Sequence, residues 1–373
     1  MSKLLTSSVD ASVDLPDLPI IDWNKIGASA PEHLWVDYQG PQAKLPDADI
    51  VVITWTVAEW SALDHVFVNS DTTRNSKAYK WRDDWFLYSR NAPSTTNPSE
   101  KEAYEYLWGY FRMVKITNKD GEDLKVLLFK SESHLSHPPY ITGLSDMVKN
   151  IIDDSQPDKV YSIGTAGGAR LDECLGDVAV TNMAKIELDK PQNKGVDYNN
   201  ETFSCKTWFP NTDLLPQTQD SLFFTMTDAV SDQELQNLLD QLQEKTPDAK
   251  DFTLQDLVNR PINPKNLGQS RALPFKDTPL LTTDFYFIAD ETNATQYCVL
   301  EMDDAVIAHQ AGLQDTDYAF VRNISDPLVP TKTADGRTIP EDVRTGWSGM
   351  IYQTFGIYSS FNGALTTWAT IAG

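Results

Sequence analysis

The sequence is poor in cysteine and in long apolar runs. Its 373 residues include three cysteines, Cys174, Cys205 and Cys298. None belongs to a CxxC pair or has a histidine at metal-ligand spacing, which disfavours a disulfide framework and a structural zinc site and indicates a reducing, cytoplasmic compartment. No stretch is long and apolar enough to cross a membrane, and the N-terminus lacks a signal-peptide pattern, so no membrane partner is expected.

Basic residues are also scarce relative to acidic ones. Asp and Glu number 54 against 31 Lys and Arg, which gives a formal net charge of −23. A field of that sign repels phosphate backbones at long range, so no nucleic-acid partner is expected. An anionic ligand would need a local positive pocket. The 40% hydrophobic content is enough to bury a sizeable core.

What the sequence does contain is an alternation of short apolar runs with helical patterns. The continuous apolar runs at 50–54, 160–163 and 318–324 predict strands buried on both faces. Helical spacing follows at 57–67 and 143–153, and a hairpin is predicted for 112–116 with 124–129. This order is typical of an α/β protein with a mixed sheet.

The remaining segments divide the chain into an irregular N-terminal arm, 1–47, and a single domain, 48–373, with insertions at about 71–110 and 210–280. Ser231 and Glu234 form a capping box that predicts a helix within the second insertion. Three further elements are predicted: a strand at 282–288, a helix at 299–311 and a long C-terminal helix at 352–372.

A glycine-rich segment, 164–168 (GTAGG), directly follows the predicted strand 160–163. Because glycine has no Cβ, such a segment lets backbone N–H groups approach an anion or a sugar hydroxyl closely. It is not a phosphate loop, since no lysine follows. A tight structural turn is the alternative.

Acidic residues occur where strands are expected to end, in 301–305 (EMDDA) and 321–326 (VRNISD). In open α/β sheets, ligands bind at the carboxyl ends of strands. The alternatives are an acidic first helical turn favoured by the helix dipole and a helix cap at Asp326. Glu59, near the start of the first helix, has the same dipole-based alternative.

Taken together and in order, these motifs resemble the nucleoside phosphorylase superfamily, especially its methylthioadenosine/S-adenosylhomocysteine nucleosidase branch. The resemblance covers roughly 49–205 and 280–326. It implies a three-layer αβα sandwich around a mixed, partly closed sheet. It also implies a purine nucleoside or nucleotide substrate, cleavage of the N-glycosidic bond, no cofactor or metal, and a homo-oligomer.

The resemblance also implies roles for individual residues. Asp326 would protonate the purine N7, and Glu59 would lie beside a nucleophilic water. Met302 would pack under the ribose, and the acidic residues around it would bind the ribose hydroxyls. The complete set of expected substrate-binding residues is Thr165, Ala166, Gly167, Gly168, Tyr286, Phe287, Glu301, Met302, Asp303 and Ser325.

The chain departs from this pattern at Asp303, where the nucleosidases carry glutamate. The aspartate side chain is shorter by one C–C bond, about 1.5 Å, so the hydroxyl contact requires a closer backbone, help from Glu301, or is lost. Glu59 would repel phosphate and favours hydrolysis over phosphorolysis, although Arg170 follows the glycines and arginines are what a phosphate pocket uses.

Two segments leave the substrate and the activity open. Segment 71–90 combines basic and aromatic side chains, and either contacts a 5′-phosphate chain, in which case AMP or ATP is the substrate, or forms a dimer interface or solvated hairpin. His134 and His137 fall near the expected ribose or nucleophile site, or belong to a polar loop. The alternatives to a nucleosidase are a phosphate-dependent phosphorylase and a non-catalytic nucleoside-binding module.

Overall fold

Strands and helices alternate along most of the chain in the computed structural model, which describes residues 3–5, 15–73, 76, 85–96, 103–229, 231–257 and 270–373. The α-helices are α1 Val57–Val68, α2 Tyr140–Ser155, α3 Leu215–Leu222, α4 Asp232–Lys245, α5 Leu254–Leu257, α6 Asp304–Leu313 and α7 Glu341–Ala372. The strands are β1 Lys3–Leu5, β2 Glu32–His33, β3 Ile50–Thr54, β4 Phe86–Tyr88, β5 Ser94–Thr96, β6 Ala103–Tyr106, β7 Gly109–Thr117, β8 Asp123–Ser131, β9 Lys159–Gly168, β10 Val178–Thr181, β11 Met183–Glu187, β12 Thr202–Ser204, β13 Ala272–Phe275, β14 Leu280–Thr283, β15 Val299–Glu301 and β16 Asp317–Asp326.

Strand β9 organises the main sheet. It runs parallel to β3 and to β16, and its last two residues pair antiparallel with β15. β15 pairs with β14, and β14 pairs with β11. β16 pairs antiparallel with β10, which is separated from β11 only by Asn182. The two series of strands that leave β9, through β16 to β10 and through β15 and β14 to β11, therefore meet where β10 continues into β11. The predicted mixed, partly closed sheet is confirmed.

Two apolar cores cover the two faces of this sheet. Val51 and Ile53 of β3 pack in one core with helices α2 and α6. Ile50 and Val52, which alternate with them, pack in the other core with α1 and α7. Since successive side chains of a strand point to opposite faces, a strand covered by helices on both sides must be apolar throughout. The predicted three-layer αβα architecture is confirmed.

The described part of the N-terminal arm, 15–47, contains a 3-10 helix, Trp23–Ile26, and the two-residue strand β2. Its side chains do more than cover the surface. Leu18, Ile21 and Trp23 are buried in the core formed with α1 and α7, and the Trp23 ring lies 4.5 Å from that of Trp368.

The segment 210–280 contains α3, α4 and α5, and the capping box of Ser231 and Glu234 is present at the start of α4. Leu235, Leu239 and Leu242 of α4 pack against α7 in a third, smaller core. The segment is not purely helical, because β13 joins the main sheet beside β10.

Three element boundaries differ from the sequence prediction. The strand expected at 282–288 ends at Thr283, because the Asp284 carboxylate accepts backbone N–H bonds from Asp189 and Lys190 and draws the chain out of the sheet. The first three residues of the helix expected at 299–311 instead form strand β15, which is buried and paired with β9 and β14. The helix itself, α6, begins at Asp304. The C-terminal helix begins at Glu341 rather than 352; Gly346 and Gly349 weaken its sequence signal.

The structure describes only part of the basic and aromatic segment 71–90. Arg74, Lys77, Tyr79, Lys80, Trp81 and Arg82 lie outside the described residues. Tyr88 and Arg90 both bind Asp154, and Tyr88 is fully buried. Among the helices that the structure describes, none is both long enough and apolar enough to span a bilayer.

Candidate active site

A cavity of about 390 Å³ opens where several strands of the main sheet end. Its walls come from the carboxyl ends of β9, β14, β15 and β16, the residues that follow β3, and one face of α7. This is the edge at which open α/β sheets bind ligands. All but one of the predicted site residues line it, namely Glu59, Thr165, Ala166, Gly167, Tyr286, Phe287, Glu301, Met302, Asp303, Ser325 and Asp326.

Gly168 is the exception. It lines a much smaller adjoining cavity of about 20 Å³. The alternative of a tight structural turn in the glycine segment is wrong, because 164–168 is the last half of strand β9. A Cβ at Gly168 would lie 3.0 Å from the backbone nitrogen of Leu328, so this glycine allows two backbone segments to approach each other.

Glu59 is buried, with 3% of its surface exposed, and both its oxygens accept hydrogen bonds. Oε2 accepts from the backbone N–H groups of Trp55 and Thr56 in a capping box at the start of α1. Oε1 accepts from the backbone N–H and the hydroxyl of Thr165, each at 2.7 Å. The dipole-based alternative is therefore correct in part, but Glu59 is not a surface residue and fastens α1 to β9.

Two glycines of the segment are needed for close approach. A Cβ at Gly164 would lie against Arg322 Nη1 and 2.9 Å from Glu59 Oε1. A Cβ at Gly167 would lie 3.3 Å from Asp326 Oδ2. Thr165, which binds Glu59, and Gly167, which pairs with Asp326, are two residues apart on β9 and so about 6.6 Å apart on one face. Glu59 and Asp326 therefore approach one cavity from neighbouring positions.

Asp326 is half-buried at the end of β16 and no helix begins there, so the helix-cap alternative is wrong. Among the described residues, the hydrogen-bond partners of its carboxyl oxygens are all hydroxyls: Ser325 at 2.7 Å, Ser348 at 2.9 Å and Tyr286 at 3.4 Å. Burial raises the pKa of Asp326 to about 6, against the opposing effect of these hydrogen bonds. Hydroxyls can donate or accept, so this surrounding accommodates both a carboxylate and a protonated acid.

A buried ionic cluster forms the floor of the cavity beside β15. Arg322 Nε donates to Asp304 Oδ2 at 2.7 Å, and Nη2 donates to Asp304 Oδ1 and lies 3.2 Å from Glu301 Oε2. Burial and the neighbouring Asp304 raise the pKa of Glu301 to about 8, while Arg322 opposes the rise. One buried guanidinium thus pairs with two acidic side chains, Asp304 and Glu301.

Asp303 is 3% exposed and lies at the cavity end nearest the loop after β8. Its Oδ1 accepts from the backbone N–H of Leu135 at 2.9 Å, and its Oδ2 lies 3.2 Å from His134 Nε2. Burial raises the pKa of Asp303 to about 8 and lowers that of His134 to about 4. His134 lines the cavity, whereas His137 does not.

Aromatic side chains form the mouth of the cavity. Tyr286 is 54% exposed although its hydroxyl reaches inward to Asp326 and Ser348. Phe285 and Phe287 line the same rim. Rings in this position offer flat faces against which a planar base can pack.

Sequence reasoning assigned no role to several residues of the wall. Arg322 lies over the Trp55 ring at 5.1 Å, and the further lining residues that no motif indicated are Thr56, Thr283, Phe285, Leu300, Thr345, Gly349, Tyr352 and Gln353. Arg322 had a signal that was not used: an arginine within an apolar strand must be paired, and the pairing points to a nearby acidic group. The residues of α7 had none: Thr345 and Gly349 precede the predicted start of the helix, and Tyr352 and Gln353 belong to no motif.

Arg170, the candidate phosphate ligand, does not line the cavity; its Nε lies 3.3 Å from Asp172. Within the described ranges, no group of three or more His, Cys, Asp or Glu side chains could hold a metal ion.

No family model and no curated protein matches the chain. Among solved structures, 5′-methylthioadenosine/S-adenosylhomocysteine nucleosidases are similar to it. The one from Neisseria meningitidis, in complex with methylthio-immucillin-A, is 12% identical with a TM-score of 0.42, covering 87% of this chain and 98% of that chain. The one from Helicobacter pylori, with butyl-thio-DADMe-Immucillin-A, is 10% identical with a TM-score of 0.45 and the same coverage. These neighbours are of the kind that the motifs resemble.

Proposed function

We propose that the protein hydrolyses the N-glycosidic bond of a purine nucleoside, releasing the free base and ribose. The observation that carries the proposal is the placement of Glu59 and Asp326. Both line one cavity; the Glu59 side chain binds Thr165 of β9, and Asp326 pairs in the sheet with Gly167, two residues farther along β9. This spacing is on the scale of a sugar and its base.

In this mechanism Asp326 donates its proton to the purine N7 as the bond between C1′ and N9 breaks. The positive charge that develops on the sugar is stabilised by nearby carboxylates. A water attacks C1′, the new C–O bond forms, and the proton of the water passes to Glu59. Solvent then returns a proton to Asp326 and removes one from Glu59, so that nucleoside plus water gives base plus ribose.

The environment of Asp326 suits an acid. With its pKa raised to about 6, about one molecule in ten holds the proton at pH 7. Proton donation by a positioned group accelerates such reactions by roughly 10²- to 10⁴-fold. The half-exposed ring of Tyr286, beside Asp326, supports placement of the base at this end of the cavity.

The charges around the cavity favour hydrolysis over phosphorolysis. Among the described residues that line the cavity, Arg322 is the one Lys or Arg, and it is shared by Asp304 and Glu301. A phosphate co-substrate or a 5′-phosphate would therefore have to compete with these two acidic side chains for the same guanidinium. We therefore propose a nucleoside without phosphate as the substrate, in preference to AMP or ATP.

The test is product analysis by chromatography. The full chain is incubated with adenosine, inosine, guanosine, 5′-methylthioadenosine and AMP, each with and without inorganic phosphate. We expect free base and ribose from at least one unphosphorylated nucleoside in the absence of phosphate. Release that strictly requires phosphate and yields ribose 1-phosphate would indicate a phosphorylase. Nucleoside-induced thermal stabilisation without any release would indicate a binding module.

A further inference from the structure

The loop between β8 and α2, residues 132–139, is held rigidly at the edge of the cavity. The Trp55 indole N–H donates to the Ser133 carbonyl at 3.1 Å, and the Ser131 hydroxyl donates to the same carbonyl at 2.6 Å. The Asn193 amide donates to the Leu135 carbonyl at 3.1 Å, and the Leu135 side chain is fully buried. His134 lies between these anchored residues, so its position is fixed by the fold.

The orientation of the His134 ring follows from its hydrogen bonds. Nδ1 accepts the backbone N–H of Ser136 at 3.0 Å. Since a backbone N–H can only donate, Nδ1 carries no proton, and the proton of the neutral ring is on Nε2. That proton faces Asp303 Oδ2, 3.2 Å from Nε2.

The Asp303 side chain does not cap its own helix and faces His134 instead. It occupies the N-cap position of α6, where an aspartate normally accepts a hydrogen bond from its own helix, yet its side chain makes no such bond. Glu301 accepts the backbone N–H groups of Asp303 at 2.6 Å and of Asp304 at 3.1 Å instead. The Asp303 carboxyl is thereby turned toward the loop that carries His134.

We propose that His134 is a positioning residue for Asp303, compensating for a carboxylate side chain that is too short to reach a sugar unaided. The Leu135 N–H donates to Oδ1, His134 Nε2 lies 3.2 Å from Oδ2, and each oxygen keeps a lone pair for a ligand. Held in this way at the cavity wall, Asp303 accepts the two neighbouring hydroxyls of a ribose. This proposal rests on the proposed function, since it assumes a ribonucleoside in the cavity.

The kinetic test compares His134→Ala with two other variants. His134→Gln keeps a donor near the position of Nε2, and His137→Ala removes the other histidine of the same loop, which does not line the cavity. For a ribonucleoside we expect His134→Ala to raise KM about tenfold, the effect of losing one hydrogen bond, with a smaller change in kcat. His134→Gln should recover most of the loss, and His137→Ala should match the wild type.

Deoxynucleosides separate positioning from a general structural role. For nucleosides that lack the 2′- or 3′-hydroxyl, we expect His134→Ala to change KM by less than about threefold, because the contact that it supports is already missing. Equal losses on ribo- and deoxynucleosides, or an unchanged KM on ribonucleosides, would overturn the proposal. Thermal unfolding of each variant identifies any loss that comes from misfolding.

A spectroscopic readout keeps this proposal distinct from the proposed function. The chain has five histidines, so selective ¹⁵N labelling gives a spectrum in which His134→Ala identifies the His134 signals. We expect the neutral Nε2–H form in the wild type at pH 7 whether or not any nucleoside is cleaved. An Nδ1–H ring would overturn the proposal, since no proton would then face Asp303. Absence of base release from every nucleoside would reject the proposed function alone.

Discussion

Glu59, which is buried, and Asp326, which is half-buried, are two acids in one cavity, and they differ in what surrounds them. Glu59 accepts three backbone N–H bonds, from Trp55, Thr56 and Thr165, besides hydroxyl contacts. Asp326 accepts no backbone N–H bond in the described structure and contacts only the hydroxyls of Ser325, Ser348 and Tyr286.

The difference teaches how a fold assigns opposite tasks to chemically similar side chains. A backbone N–H can only donate, so each of the three such groups around Glu59 needs a carboxyl lone pair that accepts it. A hydroxyl can reverse its bond and accept, so a proton on Asp326 remains compatible with every neighbour. Burial raises the pKa of Asp326 to about 6, and its hydroxyl partners, although they oppose the rise, can turn to pair with the protonated acid.

The largest expected effect is from Asp326→Asn. Removing the acid should lower kcat/KM by about 10²- to 10⁴-fold. Unfolding stability should change by less than about 1 kcal/mol, because the surrounding hydroxyls can rotate to pair with the amide. Steady-state kinetics and urea unfolding measure the two effects. Asp315→Asn, at an exposed position paired with Lys206, is the control, and full activity in Asp326→Asn would remove the acid role.

Glu59→Gln should lower the stability of the protein as well as its activity. The amide nitrogen of glutamine would face N–H donors that both oxygens now accept, which costs about 1–3 kcal/mol of unfolding free energy. We expect urea unfolding to place Glu59→Gln clearly below Asp326→Asn in stability, with activity lost in both. Equal stability of the two variants would contradict the proposed difference between the backbone N–H donors of Glu59 and the hydroxyl partners of Asp326.

The pH profile sharpens the comparison. Because the protonated form of Asp326 is the active one and its pKa is raised to about 6, kcat/KM should be level below that value. It should then fall about tenfold per pH unit above it. A profile that instead rises through pH 6 would mean that Asp326 acts as a base.

Tyr286→Phe gives the smallest expected effect. The Tyr286 hydroxyl lowers the pKa of Asp326, so removing it should move the descending limb of the profile to higher pH by less than one unit, while the ring still packs on the base. Ser348→Ala, which removes the closer hydroxyl at 2.9 Å, should move the limb in the same direction. Movement of the limb to lower pH in either variant contradicts the hydrogen-bond assignment.

The buried strands and the long helices could be predicted from the sequence because their apolar patterns are local. The first four residues of β3 are apolar and all five are buried, as a strand covered on both faces requires. The three-residue strand β15 could not be predicted, since its pairing with β9 and β14 depends on partners distant in the chain.

The site residues also divide into those that the sequence could predict and those that it could not. Glu59 and Asp326 were predicted because they belong to motifs, whereas the α7 wall was not. Tyr352 and Gln353 reach the cavity only because the long helix crosses its opening. The Asp303 contact with His134 joins residues 169 positions apart, so sequence spacing carries no sign of it.

The most direct test of the account is a crystal structure of Asp326→Asn with a purine nucleoside bound. We predict that the base N7 lies within hydrogen-bonding distance of the side chain at 326 and that Glu59 lies on the other side of the glycosidic bond with a water between it and C1′. A nucleoside bound with its sugar at position 326, or bound outside this cavity, would contradict the account.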